Sequence, residues 1–156
     1  MEAIPSILRE LPYVRFVIAG SGPLEEQLHR RAKELKLDAA IGFPGFCSEV
    51  PALLKSMDIT VMPSPAEGMP MSAIESMALG VPVVGTTGGG LVDIIRNLDT
   101  GIVVDPDNPE LLATAVVTLL KEDYRAIGAR AKELVYRTFA IERVIDRFEN
   151  LVASLS

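Results

Sequence analysis

Short apolar runs alternate with segments of helical periodicity along this chain. The runs rich in β-branched residues predict strands at 14–19, 40–43, 59–62, 83–86 and 102–104. Between them, apolar residues recur every three or four positions, which predicts helices at 24–35, at 49–57, at 71–79 and from the glycine run 88–90 to about residue 96. Alternating strands and helices with near-continuous apolar strands indicate a parallel sheet covered on both faces.

Three helices are predicted to close the chain. Asn108 is a typical N-cap residue, and Pro109 suits the first helical position after it. Further helices are predicted at about 123–137 and 141–155, and the last carries its apolar residues on one face. We interpret that stripe as core packing, with partial exposure toward a further domain as the alternative.

Right-handed crossovers between parallel strands predict an α/β, Rossmann-like doubly wound sheet. No composition shift or repeat divides the chain, so we expect residues 1–156 to form a single domain. In such folds ligands bind beyond the carboxyl ends of the strands. The segments that leave those ends are 20–23, 43–49, 63–70 and 86–90, and three of the four are rich in glycine. This pattern favours a nucleotide or phosphate ligand.

The 34 residues from Ile59 to Val92 contain only two charged side chains, Glu67 and Glu75, and no Lys, Arg or His. A carboxylate removed from water costs several kcal/mol unless a partner compensates. We therefore expect a ligand rich in hydroxyl groups to pair with these two acids. The alternatives are a solvated loop acid for Glu67 and, for Glu75, a half-buried acid bonded to a backbone N–H.

Charge and composition exclude several classes of function. The formal charge of −6 argues against nucleic acid or anionic lipid as the main partner. The single cysteine, Cys47, suits a reducing compartment, and the opening residues do not resemble a signal peptide, so we expect a cytoplasmic protein. No apolar run is long enough to predict a transmembrane segment. The only histidine, His29, is predicted to be solvated surface, so neither a Ser–His catalytic pair nor a metal site is expected.

Several motifs in fixed order resemble retaining glycosyltransferases of the GT-B fold, family 4 type. EGMPMSAIE, from Glu67 to Glu75, resembles their E-x7-E signature. FVIAGSGP at 16–23, FPGF at 43–46, DITVMPS at 58–64 and TGIVV at 100–104 resemble the neighbouring segments. GGGLVDII at 88–95 resembles their GGxxEII element, with Asp93 where Glu is usual. The resemblance covers nearly the whole chain.

The resemblance implies a domain that binds a nucleoside-diphosphate sugar as donor substrate, with no cofactor. By it, Glu75 would hold the ribose hydroxyls and Glu67 would lie beside the sugar near the reacting centre. The segment before the next helix and its first amides would face sugar and diphosphate; its residues are Gly68, Met69, Met71 and Ser72. The base would rest against Gly20, Gly22 and Phe46.

The resemblance also implies parts that this sequence does not contain. A whole enzyme has an acceptor domain, and its donor domain opens with a central strand followed by Arg and Lys. We expect the remaining strands to pair across the gap, to borrow a strand from another copy, or to leave unpaired edges that promote self-association. The chain would then be inactive alone, or need a separate acceptor domain. A non-catalytic nucleotide-binding module and a truncated remnant that binds nothing are the alternatives, and a glycosidase is disfavoured by the Rossmann-like context.

Overall fold

The structure is a computed structural model that describes residues 1–64 and 68–154. Within these residues the chain forms five strands and eight helices. The strands are β1 (Phe16–Ala19), β2 (Ile41–Gly45), β3 (Thr60–Met62), β4 (Val83–Thr86) and β5 (Gly101–Val104). The helices are α1 (Ile4–Glu10), α2 (Glu25–Glu34), α3 (Val50–Lys55), α4 (Met71–Ala78), α5 (Leu91–Ile94), α6 (Pro109–Lys121), α7 (Tyr124–Phe139) and α8 (Ile141–Ser154).

The strands form two parallel sheets rather than one. β1 pairs with β2, and β3 pairs with β4, which pairs with β5. The α/β class with parallel strands flanked by helices is confirmed. Of the three outcomes expected for the sheet, pairing of the strands across the gap is wrong, because β1 and β3 belong to different sheets and are not paired with each other. The chain runs outward from this break in both directions, as at the switch point of a doubly wound fold.

Helices cover both faces of the three-stranded sheet. Val83 and Val84 are fully buried neighbours on β4, and alternation along a strand sends their side chains to opposite faces. Val84 packs in a cluster with α1 and α6, whereas Val83 packs in a cluster with α4, α5 and α7. The core therefore lies on both sides of β4.

The α1–α6 cluster also joins the two sheets. Its members include Ile7 of α1 and Leu119 of α6, and partly buried Phe16 of β1 and Val61 of β3 pack against it. The residues before α1 are tied to α2 by Arg31, which donates to both carboxylate oxygens of Glu2 at 2.8 Å. That bond lowers the pKa of Glu2 below its usual range.

The structure confirms one of the two predictions made for the closing helices and contradicts the other. The capping prediction is confirmed, because the side chain of Asn108 accepts from the N–H of Leu111 at 3.0 Å. The core prediction for the last helix is wrong, because none of its described residues is buried. Its exposed apolar side chains are Ile141, Val144, Ile145, Phe148, Leu151 and Val152. A periodic stripe identifies the apolar face of a helix but does not identify whether another element buries that face.

We predict that Gly128→Ala destabilises the fold by about 1–3 kcal/mol, the range for an overpacked core. A Cβ at Gly128 would lie 2.0 Å from the carbonyl oxygen of Gly80, so α7 would have to move away from the end of α4. Urea unfolding measures the change. Gly42→Ala is the control, since its Cβ would meet nothing closer than 3.9 Å. Equal stability of the two variants would contradict this account of the α4–α7 contact.

Candidate functional site

The carboxyl ends of β1 and β2 surround an open cavity of about 320 Å³. Gly20 follows β1 with φ 126°, a conformation that side chains oppose, and its N–H donates to the carbonyl of Gly45 at 2.8 Å. A Cβ at Gly20 or Gly22 would meet no atom within 4 Å, so both residues present bare backbone to open space. The turn can therefore approach a flat ligand through its main chain.

The cavity is walled mainly by apolar groups. Leu24, Leu28 and Phe43 contribute to the wall, and Glu25 is the only charged lining residue among those that the structure describes. The His29 ring centroid lies 4.2 Å from that of Phe43. His29 is exposed, as expected, but its contact with Phe43 has no signal in the sequence. Phe46 is 78% exposed on the loop after β2 and is not part of the cavity wall.

The carboxyl end of β3 leads into α4, which carries the second group of candidate residues. Met71, Ser72 and Glu75 are exposed and share one face through their spacings of three and four. Glu75 makes no side-chain hydrogen bond or ion pair with any residue that the structure describes. The expected removal of this carboxylate from water is therefore wrong, and so is the alternative of a half-buried acid bonded to backbone. Glu67 lies outside the described residues.

The first amides of α4 are not equally available. The N–H of Met71 donates to the carbonyl of Met69 at 2.9 Å, and that of Ala73 donates to Pro70 at 3.0 Å. The N–H of Ser72 has no backbone acceptor among the described residues. Met69 is 61% exposed and Gly68 is also exposed. Of the helical amides predicted to face a ligand, Ser72 supplies the free one, at the positive end of the helix dipole.

α4 is fixed to the sheet by a buried hydroxyl next to Glu75. Ser76 is fully buried, and its Oγ lies 2.7 Å from Oγ1 of Thr60 and donates to the carbonyl of Val81 at 3.0 Å. Ala73 and Met77, on the same face, are also fully buried. The buried face of α4 therefore fixes the rotation of the helix about its axis. Because Ser76 faces the core, Glu75 faces solvent.

The last residue of β4 and the segment after it contact the loop between β3 and α4, on both sides of the undescribed residues 65–67. Oγ1 of Thr86 donates to the carbonyl oxygen of Ser64. Gly90 packs so closely on Gly68 that a Cβ would lie 2.4 Å from its carbonyl oxygen. The sequence placed Thr86 and Gly90 in a segment at the ligand edge but gave neither residue a role of its own, because a threonine at a strand end and a glycine run have ordinary structural uses.

The two groups of candidate residues remain separate in the structure. The cavity brings Gly20 and Gly22 together, and its lining residues belong to β1, β2 and the turn and helix between them. Glu75, Met71 and Ser72 lie on α4, across the break between the sheets. In the part of the chain that the structure describes, neither the cavity lining nor the segment 68–76 contains Lys or Arg.

In 1–64 and 68–154, no three His, Cys, Asp or Glu side chains gather in a way that could hold a metal ion. Over the same residues, no helix has the length and apolarity needed to cross a membrane.

The fold is Rossmann-like, and the candidate residues lie at the carboxyl ends of its strands, where ligands bind in such folds. The sequence profile of the family described as "Glycosyl transferases group 1" matches residues 1–134. The chain therefore belongs to the group 1 glycosyltransferases, which confirms the resemblance.

Individual relatives agree with this assignment. The chain is 29% identical over 153 residues to N-acetyl-α-D-glucosaminyl L-malate synthase of Bacillus anthracis, covering 97% of this chain and 40% of the relative. It is 40% identical over 127 residues to the GDP-mannose-dependent α-(1-6)-phosphatidylinositol dimannoside mannosyltransferase of Mycobacterium tuberculosis, covering 78% and 32%. The chain thus spans two fifths or less of the length of both.

Solved structures show the same fold. A complex of Staphylococcus aureus TarM with UDP, fondaparinux and α-GlcNAc-glycerol superposes with a TM-score of 0.88 at 23% identity, over 96% of this chain and 31% of that one. The C-terminal domain of a group 1 glycosyltransferase from Francisella tularensis superposes with a TM-score of 0.79 at 28% identity. That match covers 90% of this chain and 77% of the Francisella domain.

We predict that Ser76→Ala lowers the free energy of unfolding by about 1–2 kcal/mol, because it leaves buried polar groups without their partner. Urea unfolding measures the loss. Ser72→Ala is the matched control, since that side chain is exposed and is expected to change stability by less than about 0.5 kcal/mol. A loss no larger than that of the control would show that Ser76 does not anchor α4.

Proposed function

We propose that this chain is the donor-binding half of a glycosyltransferase that transfers a sugar from a nucleoside-diphosphate sugar with retention. The observation that carries the proposal is the unpaired carboxylate of Glu75, exposed on α4 at the ligand-binding edge of the fold. An ionised carboxylate that already has an internal partner is poorly available to a ligand. Glu75 has none among the described residues, so it is free to accept hydrogen bonds from vicinal hydroxyls.

The donor would lie across the break between the sheets. The ribose hydroxyls would donate to Glu75, and the diphosphate would meet the free N–H of Ser72 and the exposed backbone of Gly68 and Met69. The base would enter the cavity beside Gly20 and Gly22, with exposed Phe46 available to stack on it. The sugar would lie beside Glu67, the residue we assign to the reacting centre, with Met71 at the edge of the site.

The names of similar proteins support a nucleotide-sugar donor without selecting one. The mycobacterial relative is GDP-mannose-dependent, whereas the staphylococcal structure holds UDP. Main-chain contacts at the Gly20 turn can serve either base. We leave the base and the sugar open for that reason.

Transfer would require groups that this chain does not supply. Its relatives are more than twice as long, and we propose that an acceptor domain, in the same or another polypeptide, completes the enzyme. The isolated chain would then bind donor without transferring it. Consistent with such a substrate, we place the protein in the cytoplasm.

The divided sheet supports a second proposal, that the isolated chain self-associates. Phe16 and Gly20 direct their N–H groups toward β2, so the alternate residues of β1 direct theirs to the open edge. On β3, the N–H of Thr60 donates to the carbonyl of Pro82 beside β4. The N–H of Val61, the next residue, therefore faces the open edge of β3. Unpaired parallel edges of this kind pair readily with another chain.

For the donor site, we expect one of UDP, GDP and ADP to bind, and Glu75→Ala to weaken that binding by about 1–3 kcal/mol, the cost of losing charge-assisted hydrogen bonds. Isothermal titration of the isolated chain measures both values, followed by sugar conjugates of the nucleotide that binds. Glu133→Ala is the matched control, an exposed acid on α7 that is not among the candidate site residues. Absence of binding at millimolar nucleotide, or equal losses in the two variants, would overturn the proposal.

For self-association, we expect the sedimentation coefficient of the isolated chain to rise with protein concentration. Val17→Lys should reduce that rise, because a charge beside an open edge opposes strand pairing. Leu111→Lys, on α6, is the control with a similarly exposed residue, 43% against 41% for Val17. A constant monomer, or association unchanged by Val17→Lys, would exclude the open edge as the interface.

A further inference from the structure

We propose that Glu25 determines which nucleotide base the cavity accepts, and that this base is guanine. The inference rests on the proposed donor site and deepens it, because it names the base that the donor carries. Main-chain contacts at the Gly20 turn do not distinguish bases, so selection requires a side chain. Ser21 and Glu25 are the polar side chains among the described residues that line the cavity, and a hydroxyl both donates and accepts, so it discriminates less than a carboxylate.

Glu25 lies directly after the glycine turn, as the first residue of α2. Its N–H donates to the carbonyl of Gly22 at 3.1 Å, so the helix begins at the wall of the cavity. The volume of about 320 Å³ is near the lower end of the range for ligand pockets, about 300–1,000 Å³, which suits one base better than a whole nucleotide. A base would bury its ring against the apolar wall, and Glu25 would then accept from its hydrogen-bonding edge.

The carboxylate of Glu25 is available to a ligand. Glu25 is exposed and makes no side-chain hydrogen bond or ion pair with any residue that the structure describes. Glu26 differs, because its Oε1 accepts from Nη2 of Arg30 at 3.1 Å and it does not line this cavity. Both acids complement the dipole of α2, but of the two only Glu25 adds an unpaired carboxylate to the cavity wall.

A carboxylate distinguishes bases by the N–H donors on their Watson–Crick edges. Guanine presents N1–H beside its 2-amino group, so it can form two parallel N–H···O bonds with one carboxylate. Adenine and cytosine each present one amino group beside an unprotonated ring nitrogen, whose lone pair the carboxylate repels. Uracil presents one N–H between two carbonyl oxygens. A site with an acceptor for two donors rejects bases that lack them, so guanine is expected to bind most tightly and uracil least.

The test is isothermal titration of the purified chain with GDP, ADP, CDP and UDP, in the wild type and in Glu25→Gln. We expect GDP to bind most tightly, and Glu25→Gln to lower the ratio of GDP to UDP affinity about ten- to hundredfold, the scale of hydrogen bonds to a charged group. Glu26→Gln is the matched control, because it removes the same charge from the same helical turn but not from the cavity wall.

Inosine diphosphate isolates one of the two hydrogen bonds, since its base differs from guanine only in lacking the 2-amino group. We expect it to bind the wild-type chain about three- to tenfold more weakly than GDP, and to bind Glu25→Gln as well as GDP does.

A preference for another base, or a GDP preference that Glu25→Gln leaves unchanged, would overturn the inference. An equal loss for every nucleotide would also overturn it, because Glu25 would then contact the ribose or the diphosphate that all of them share. In these cases binding that is weakened by Glu75→Ala would leave the proposed function standing.

If no diphosphate binds, the proposed function fails, and the amide chemical shifts of Gly20 and Gly22 during titration with GMP and UMP decide the inference. Shifts that GMP produces, that UMP does not produce and that Glu25→Gln abolishes would support guanine recognition by the cavity. Unchanged shifts with GMP would refute it.

Discussion

The absence of a hydrogen-bonded ladder between β1 and β3 is the constraint on which the rest of this structure depends. Within each sheet, backbone bonds fix the strands in register, but the described residues show no backbone bond between β1 and β3, and the two sheets are joined mainly by side-chain packing. That packing is the cluster formed by α1 and α6, against which Phe16 of one sheet and Val61 of the other both lie. Because the cavity belongs to one sheet and α4 to the other, the geometry of a bound nucleotide would depend on this apolar cluster.

The described part of the candidate site offers backbone groups and carboxylates rather than cations. Among the residues that the structure describes, neither the cavity lining nor the segment 68–76 contains Lys or Arg, and the protein carries a formal charge of −6. A diphosphate would therefore meet amide dipoles against an unfavourable overall field. Binding by the isolated chain is then expected to be weak, and a second polypeptide that brings cations to the break would strengthen it.

Local sequence signals predicted local structure well. Asn108 caps α6 as its residue type indicates, and Pro109 is the first residue of that helix. Features that depend on tertiary neighbours were not predictable. The low charge around Glu75 suggested a buried acid, yet Glu75 points to solvent because Ser76, not Glu75, faces the core. The apolar stripe of α8 suggested packing, but periodicity identifies a face without identifying what covers it. The stacking of His29 on Phe43 depends on how α2 crosses β2, which no residue of α2 signals.

The sizes of the hydrophobic clusters indicate which part of the molecule unfolds locally at the lowest free energy. β1 and β2 pack with α1 and α2 around a small cluster of their own, formed by Ile4, Ala32, Leu37 and Ile41. The three-stranded sheet has larger clusters on both faces. Regions with fewer buried contacts open at lower free energy, so the two-stranded sheet is the part expected to exchange its amide protons first. A ligand that spans the break would link the two units, and their unfolding would then become a single cooperative event.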